Sequence, residues 1–171
     1  MNKARANQLQ KFKRLKYRQL TKEQFEGLHE EFARFLASQN IDKNEWDELK
    51  KEKPHVAEDE MNVFSDVVWD DVLTKTNYLE HFSPKVVNLF KCDEKEIHRI
   101  VITIDKEVNV LEQEGFEWLL KNPQDEAIEF LRGSKAYQEE RNVELFDLIE
   151  KGSNISKGEL YEYFDRLTSK D

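Results

Sequence analysis

The sequence predicts an α+β protein, predominantly α-helical, with about six to seven helices and one central β-hairpin near residues 86–104. Three observations lead there. Apolar residues recur at helical spacing behind capping residues along most of the chain. Glycine and proline are scarce, five and three in 171 residues, which leaves little material for long loops. One stretch, "VVNLFKCDEKEIHRIVITID", changes to β-branched residues bracketing a polar turn.

Thr21 followed by Gln24 has the spacing of a capping box, in which the hydroxyl accepts a free first-turn amide and the Gln side chain reaches back. Phe25, Leu28, Phe32, Phe35 and Leu36 then form one apolar stripe, predicting a single first helix. Asp42 with Glu45 opens a shorter helix carrying Trp46 and Leu49. Pro54 suits the first turn of the next, where its missing amide costs nothing. That third helix is expected to run to about Lys75 and to be the most buried, with Met61, Phe64, Val68 and Val72 inward and Val67, Trp69 and Leu73 widening the face. Val86 to Lys91 and Glu96 to Ile104 read as the hairpin. A lone hairpin is marginal in water, so it must lean on helices or pair with another segment, such as residues near Val108 and Val110. "LEQEGFEWLLKN" predicts a helix with Phe116, Leu119 and Leu120, and Asn122-Pro123 reads as the start of another that ends at Gly133. Val143, Phe146 and Ile149 line a further helix closed by Gly152. Ser156 with Glu159 has capping-box spacing before a last helix with Leu160, Phe164 and Leu167.

Composition narrows the class of protein. A hydrophobic fraction of 38%, with eleven Phe and three Trp, is enough for a sizeable core. No run approaches the roughly 18 apolar residues of a membrane span, and no apolar segment follows the N-terminal basic residues as a signal peptide requires. Cys92 is the only cysteine, which excludes an intramolecular disulfide and a cysteine-based zinc cage and makes the cytoplasm the expected compartment. Charge is split along the chain. Eight of the 27 Lys and Arg fall in residues 1–22, where there is no Asp or Glu, so the rest carries 19 basic against 36 acidic residues. A basic arm precedes an acidic body.

"KYRQLTKEQFEGLHEEFARFLASQNID", "FSDVVWDDVLTKTNYLEHFS", "LFKCDEKEIHRI" and "ISKGELYEYF" together resemble an uncharacterised bacterial domain family of unknown function, over Lys16 to about Leu167. The resemblance implies a bacterial cytoplasmic protein and a single globular domain, 16–171, preceded by a basic extension, 1–15. It carries no reaction, ligand or catalytic residue.

The candidate sites are few. Cys92 and His98 suggest a nucleophile and base or a pair of metal ligands. If Lys91 pairs with Glu96 they point to opposite faces, and a slip of one residue puts them on the same face. A turn cysteine and a hydrogen-bonded, semi-buried histidine is the preferred reading. Glu26 and His29 have the E-x-x-H spacing of di-metal bundles, but the only other match, Glu52 and His55, is interrupted by Pro54. "HEEFA" lacks the second histidine of a zinc protease. Asp66, Asp70 and Asp71, with Asp59 one stretch earlier, form an acidic group that could bind a divalent cation or, the preferred alternative, a basic protein partner, although a solvated face is the plainer reading. Tyr161, Tyr163 and Phe164 make the last helix aromatic on more than one side. There is no P-loop, G-x-S-x-G or G-x-G-x-x-G.

No catalytic residue, metal or cofactor is expected. The first functional reading is a non-catalytic protein-protein interaction or scaffold protein using an acidic, aromatic-rich helical surface with Asp59, Asp66, Asp70 and Asp71. The second is a nucleic-acid or ribosome-associated factor gripping phosphates through residues 3–22, with Lys11, Lys13, Arg14, Lys16 and Arg18. A third, a metal-dependent enzyme, would require bound metal that is lost on His29→Ala or His98→Ala.

Overall fold

The computed structural model describes residues 15–169. Among them, in chain order, lie α1 (Lys22–Gly27), α2 (His29–Ser38), α3 (Lys43–Glu52), α4 (Pro54–Lys75), β1 (Tyr78–Ser83), β2 (Val86–Cys92), β3 (Glu96–Ile104), α5 (Gln113–Lys121), β4 (Ile128–Ala136), α6 (Arg141–Glu150), β5 (Asn154–Ser156) and α7 (Glu159–Thr168). The described residues pack as two compact units that divide between Val72 and Leu73.

In the first unit both capping boxes form. Thr21 Oγ1 accepts the Gln24 amide at 3.2 Å while Gln24 accepts the Thr21 amide at 2.9 Å, and Asp42 and Glu45 repeat the exchange at 2.9 and 3.0 Å. The expected single first helix is two. Leu28, at φ −111° and ψ 24°, separates α1 from α2. The His29 ring nitrogen Nδ1 lies 2.9 Å from the Glu26 carbonyl, a side-chain contact that competes with the helix ladder at the break. The aromatic stripe survives it. Phe25, Phe32 and Phe35 gather on Phe64 of α4 with ring centroids 5.9, 5.0 and 5.5 Å away, and Trp46 of α3 meets Phe32 edge-on at 5.3 Å. Phe64, Ser65 and Trp69 of α4 are buried, but Val67 and Val72, expected inward, are 54% and 36% exposed. The Ser65 hydroxyl donates to the Met61 carbonyl at 2.7 Å and accepts the Leu20 amide at 3.0 Å, which satisfies a buried polar group at a position the apolar pattern skipped.

The second unit is built on a five-stranded antiparallel sheet of order β4-β3-β2-β1-β5. One central hairpin therefore understates the strand content. The hairpin itself, β2 and β3, lies where its residues placed it, but its neighbours are β1 and β4. Val108 and Val110 lie outside the sheet, in the loop after β3, where Val110 donates to the Pro84 carbonyl at 2.9 Å and is buried. The segment from Pro123 to Gly133, expected as helix, is a turn and then strand. Asp125 accepts the Ala127 amide at 2.9 Å, a turn-forming bond, and Ile128 and Phe130 then alternate onto the core with period two. Ser156 does not cap α7. It pairs with Tyr78 in the sheet and accepts the amide of Gly158, which occupies the N-cap at φ +84°.

One sheet face carries Val87, Leu89, Ile100, Ile102 and Ile104 against Leu119 of α5 and Tyr161 and Phe164 of α7, all buried. The loop before α5 packs so closely that a Cβ on Gly115 would sit 1.9 Å from the Asn109 carbonyl oxygen. Phe90, Ile97, Val101 and Leu131 belong to the opposite face, on the side of α6.

Candidate functional site

Two members of the acidic group on α4, Asp66 and Asp70, turn onto the protein's own chain. Asp66 accepts the backbone amides of Lys16 and Tyr17 at 2.7 and 3.0 Å, one on each oxygen. Asp70 accepts the Tyr17 hydroxyl and lies 3.6 Å from the Lys16 ammonium. Burial first, and then the Asp70 bond and charge, push the Tyr17 phenol up to about 12. Arg18 stacks over the Trp69 ring at 5.2 Å. Asp59 and Asp71 are exposed. Of the basic-arm residues, Lys16 and Arg18 thus contact α4, while Lys11, Lys13 and Arg14 lie outside the described residues.

The ladder decides the relation of Cys92 to His98. Lys91 pairs with His98 and Cys92 with Ile97. Cys92 and His98 therefore occupy opposite faces. Cys92 is buried, and that burial raises its thiol to about 12, so it is a poor nucleophile. His98 instead joins residues that only pairing brings near. Its Nδ1 lies 2.6 Å from Ser134 Oγ on β4, and its Nε2 lies 2.8 Å from Asp93 Oδ2 and 3.4 Å from Glu96 Oε1. Glu26 and His29, and likewise Glu52 and His55, are exposed and form no such cluster among the described residues.

The backbone beneath this cluster is clamped. The Asp93 carbonyl accepts from the Tyr137 hydroxyl and from Arg141 Nε, each at 3.0 Å. Arg141 also donates to the carbonyls of Cys92 at 3.0 Å and Leu73 at 2.9 Å. One guanidinium thus bridges carbonyl acceptors at the end of a helix and the end of a strand. On the α7 face, Glu162 accepts from Tyr78 at 2.6 Å and Lys91 at 3.2 Å; these bonds hold its carboxyl below the usual range. Arg132 pairs with Asp165 and donates to Thr168 at 2.6 Å.

On the other face, a groove of about 590 Å³ runs between β3–β4 and α6, with Phe90, Ile97, Val101, Leu131 and Leu148 as its apolar lining. It opens beside an edge strand. The Tyr137 amide bonds Lys95 and the Asp105 amide bonds Ala127, at 3.3 and 2.8 Å, which fixes the alternation: odd residues of β4 bond to β3. Phe130, Arg132 and Ser134 therefore turn their N–H and C=O groups outward, where no described strand pairs with them. The sequence left two clues to these surfaces: the carboxylates and histidine of "CDEKEIH", and the alternation of "IEFLRGSKA". Nothing local pointed to Ser134 or Arg141 as their partners.

These features define an α+β protein with a polar cluster at a hairpin tip and a groove at a sheet edge. The chain belongs to a family of unknown function, DUF6495, whose model matches residues 15–169. No curated protein and no solved structure matches it. No helix among the described residues is long and apolar enough to cross a membrane.

Proposed function

We propose that the protein is a non-catalytic protein-interaction module of the bacterial cytoplasm, and that its binding surface is the groove between β4 and α6. The observation that carries this reading is the nine-residue edge strand β4, with outward backbone groups, bordering an apolar groove. That pairing suits β-augmentation, in which main-chain bonds supply affinity and a pocket selects a side chain. Leu131, 57% exposed, stands at the groove's edge as an apolar contact. Charge indicates the occupant. Lys151 pairs with Asp147 at 2.6 Å and Lys135 with Glu144 at 4.0 Å, while Arg99 is bonded to the neutral amide of Asn88 at 3.0 Å. The groove is thus locally positive on a chain of net charge −9, and it fits an extended partner segment with an apolar anchor and an acidic residue.

The acidic face of α4 is a weaker candidate, because Asp66 and Asp70 already hold Lys16 and Tyr17. Selection of random displayed 12-residue peptides on the full chain tests the proposal. A consensus of one apolar residue flanked by Asp or Glu, lost on Leu131→Asp and on Arg99→Glu, supports it. Peptides that bind both variants unchanged overturn it. Binding of a single-stranded oligonucleotide that weakens steeply with salt and disappears on deleting residues 1–15 would favour the nucleic-acid reading instead.

A further inference from the structure

The geometry points to a divalent transition-metal site at the tip of the β2–β3 hairpin, formed by Asp93, Glu96 and His98. The Asp93 amide closes the turn onto the Glu96 carbonyl at 3.0 Å, which brings the two carboxylates to one end of the hairpin. Glu96 and His98, two apart on β3, share a face. One donor atom from each of the three residues lies within 4.8 Å of the others. The distances from Nε2, 2.8 Å to Asp93 and 3.4 Å to Glu96, approach the ~3.4 Å separation of two ligands about 2.1 Å from a tetrahedral ion.

Three further features favour a cation there. Ser134 stands directly opposite His98 in a non-hydrogen-bonded pair, the closer kind. Its hydroxyl at 2.6 Å can accept Nδ1–H, and in that tautomer the lone pair of Nε2 faces two carboxylates. Three acceptors converge, and either a proton on Nε2 or a metal ion must hold them together. The clamp of Tyr137 and Arg141 on the Asp93 carbonyl fixes the loop beforehand, reducing the ordering that binding must impose. One imidazole with two carboxylates is a donor set for zinc, cobalt or manganese rather than for calcium, which takes six to eight oxygens. Three protein ligands leave a fourth position for water. Cys92, adjacent in sequence, is on the opposite face and does not ligate.

The test is calorimetric titration of ZnCl₂ into the full-length, chelator-treated protein, with cobalt absorption spectra in parallel. The expected result is one zinc per chain, at least tenfold weaker for Ser134→Ala and at least hundredfold weaker for His98→Ala and Asp93→Asn. The cobalt spectrum should lack a thiolate charge-transfer band. Glu96→Gln, at an exposed position, gives the same readout should His98→Ala fail to fold. No zinc heat, calcium binding in preference to zinc, or affinity unchanged in His98→Ala or Glu96→Gln would overturn the site and leave a histidine–carboxylate hydrogen bond in its place.

Discussion

Asp66 accepts the backbone amide of Lys16 at 2.7 Å across fifty positions of sequence. The contact fixes the path of the segment leading into α1, with Tyr17 and Leu20 buried behind it. Residues that look like a solvated acidic face are thus partly a receptor for the protein's own backbone.

Asp66→Asn should therefore destabilise the protein by about 1–3 kcal/mol, because one amide loses an oxygen acceptor and the other loses a charged one. Asp59→Asn, at an exposed position, should stay within about 0.5 kcal/mol of the parent. Urea unfolding of the two variants measures the difference, and equal midpoints would contradict the tether.

Arg141→Lys should lose most of the clamp, since an ammonium cannot span the carbonyls of Leu73, Cys92 and Asp93 at once. A loss of about 2–4 kcal/mol is expected. Amide exchange should speed up around residues 92–96 before it does in the middle of β3. Uniform acceleration across the sheet would argue against a local clamp.

Tyr17 and Tyr137 are raised to about 12, chiefly by burial, and Tyr78 and Tyr161 are raised as well. A phenol whose folded pKa exceeds its unfolded value near ~10 adds stability that is complete below that pH and lost as pH climbs through the folded value. Phenolate absorbance should lag in the folded protein and return to the ordinary range in urea. Tyr17→Phe should remove part of the stability lost between pH ~10 and ~12.

Gly158→Ala should cost about 1–3 kcal/mol, since φ is +84° and the new Cβ would lie 2.5 Å from the Tyr78 ring. Displacing that ring also breaks the Tyr78–Glu162 bond. The loss of Glu162's partner should shift its carboxyl upward in an NMR titration, toward the ordinary carboxylate value. An unchanged Glu162 titration would show that Tyr78 does not hold it.

Glu162 also contributes to pH dependence with the opposite sign to the tyrosines. Its carboxyl is depressed, so its contribution is present above the ordinary carboxylate value and lost as pH falls through the folded one. Lys91→Met should flatten the acid limb of a stability profile in that window, and an unaltered limb would discount the pair.

What the sequence determined by itself was the short-range chemistry. Thr21–Gln24 and Asp42–Glu45 close caps within a single turn, Pro54 starts α4, and β2 and β3 are adjacent in sequence and pair with one another. Tertiary structure alone decided what depends on distant partners. β5 is short and β4 resembles a helix in composition, so their strand state rests on ladder bonds to residues well removed in sequence, whereas β1 forms a local hairpin with β2 that the residue pattern did not announce. The same holds for the sites. His98 is visible in the sequence, but Ser134 and Arg141 reach its surroundings only because β4 pairs with β3 and α6 follows it. Asp66 and Asp70 read as a free acidic face until the segment at Lys16 and Tyr17 folds back onto α4. Local patterns record the preference of a few neighbouring residues, whereas the choice of hydrogen-bond partner across fifty residues is made by the packing of the whole chain.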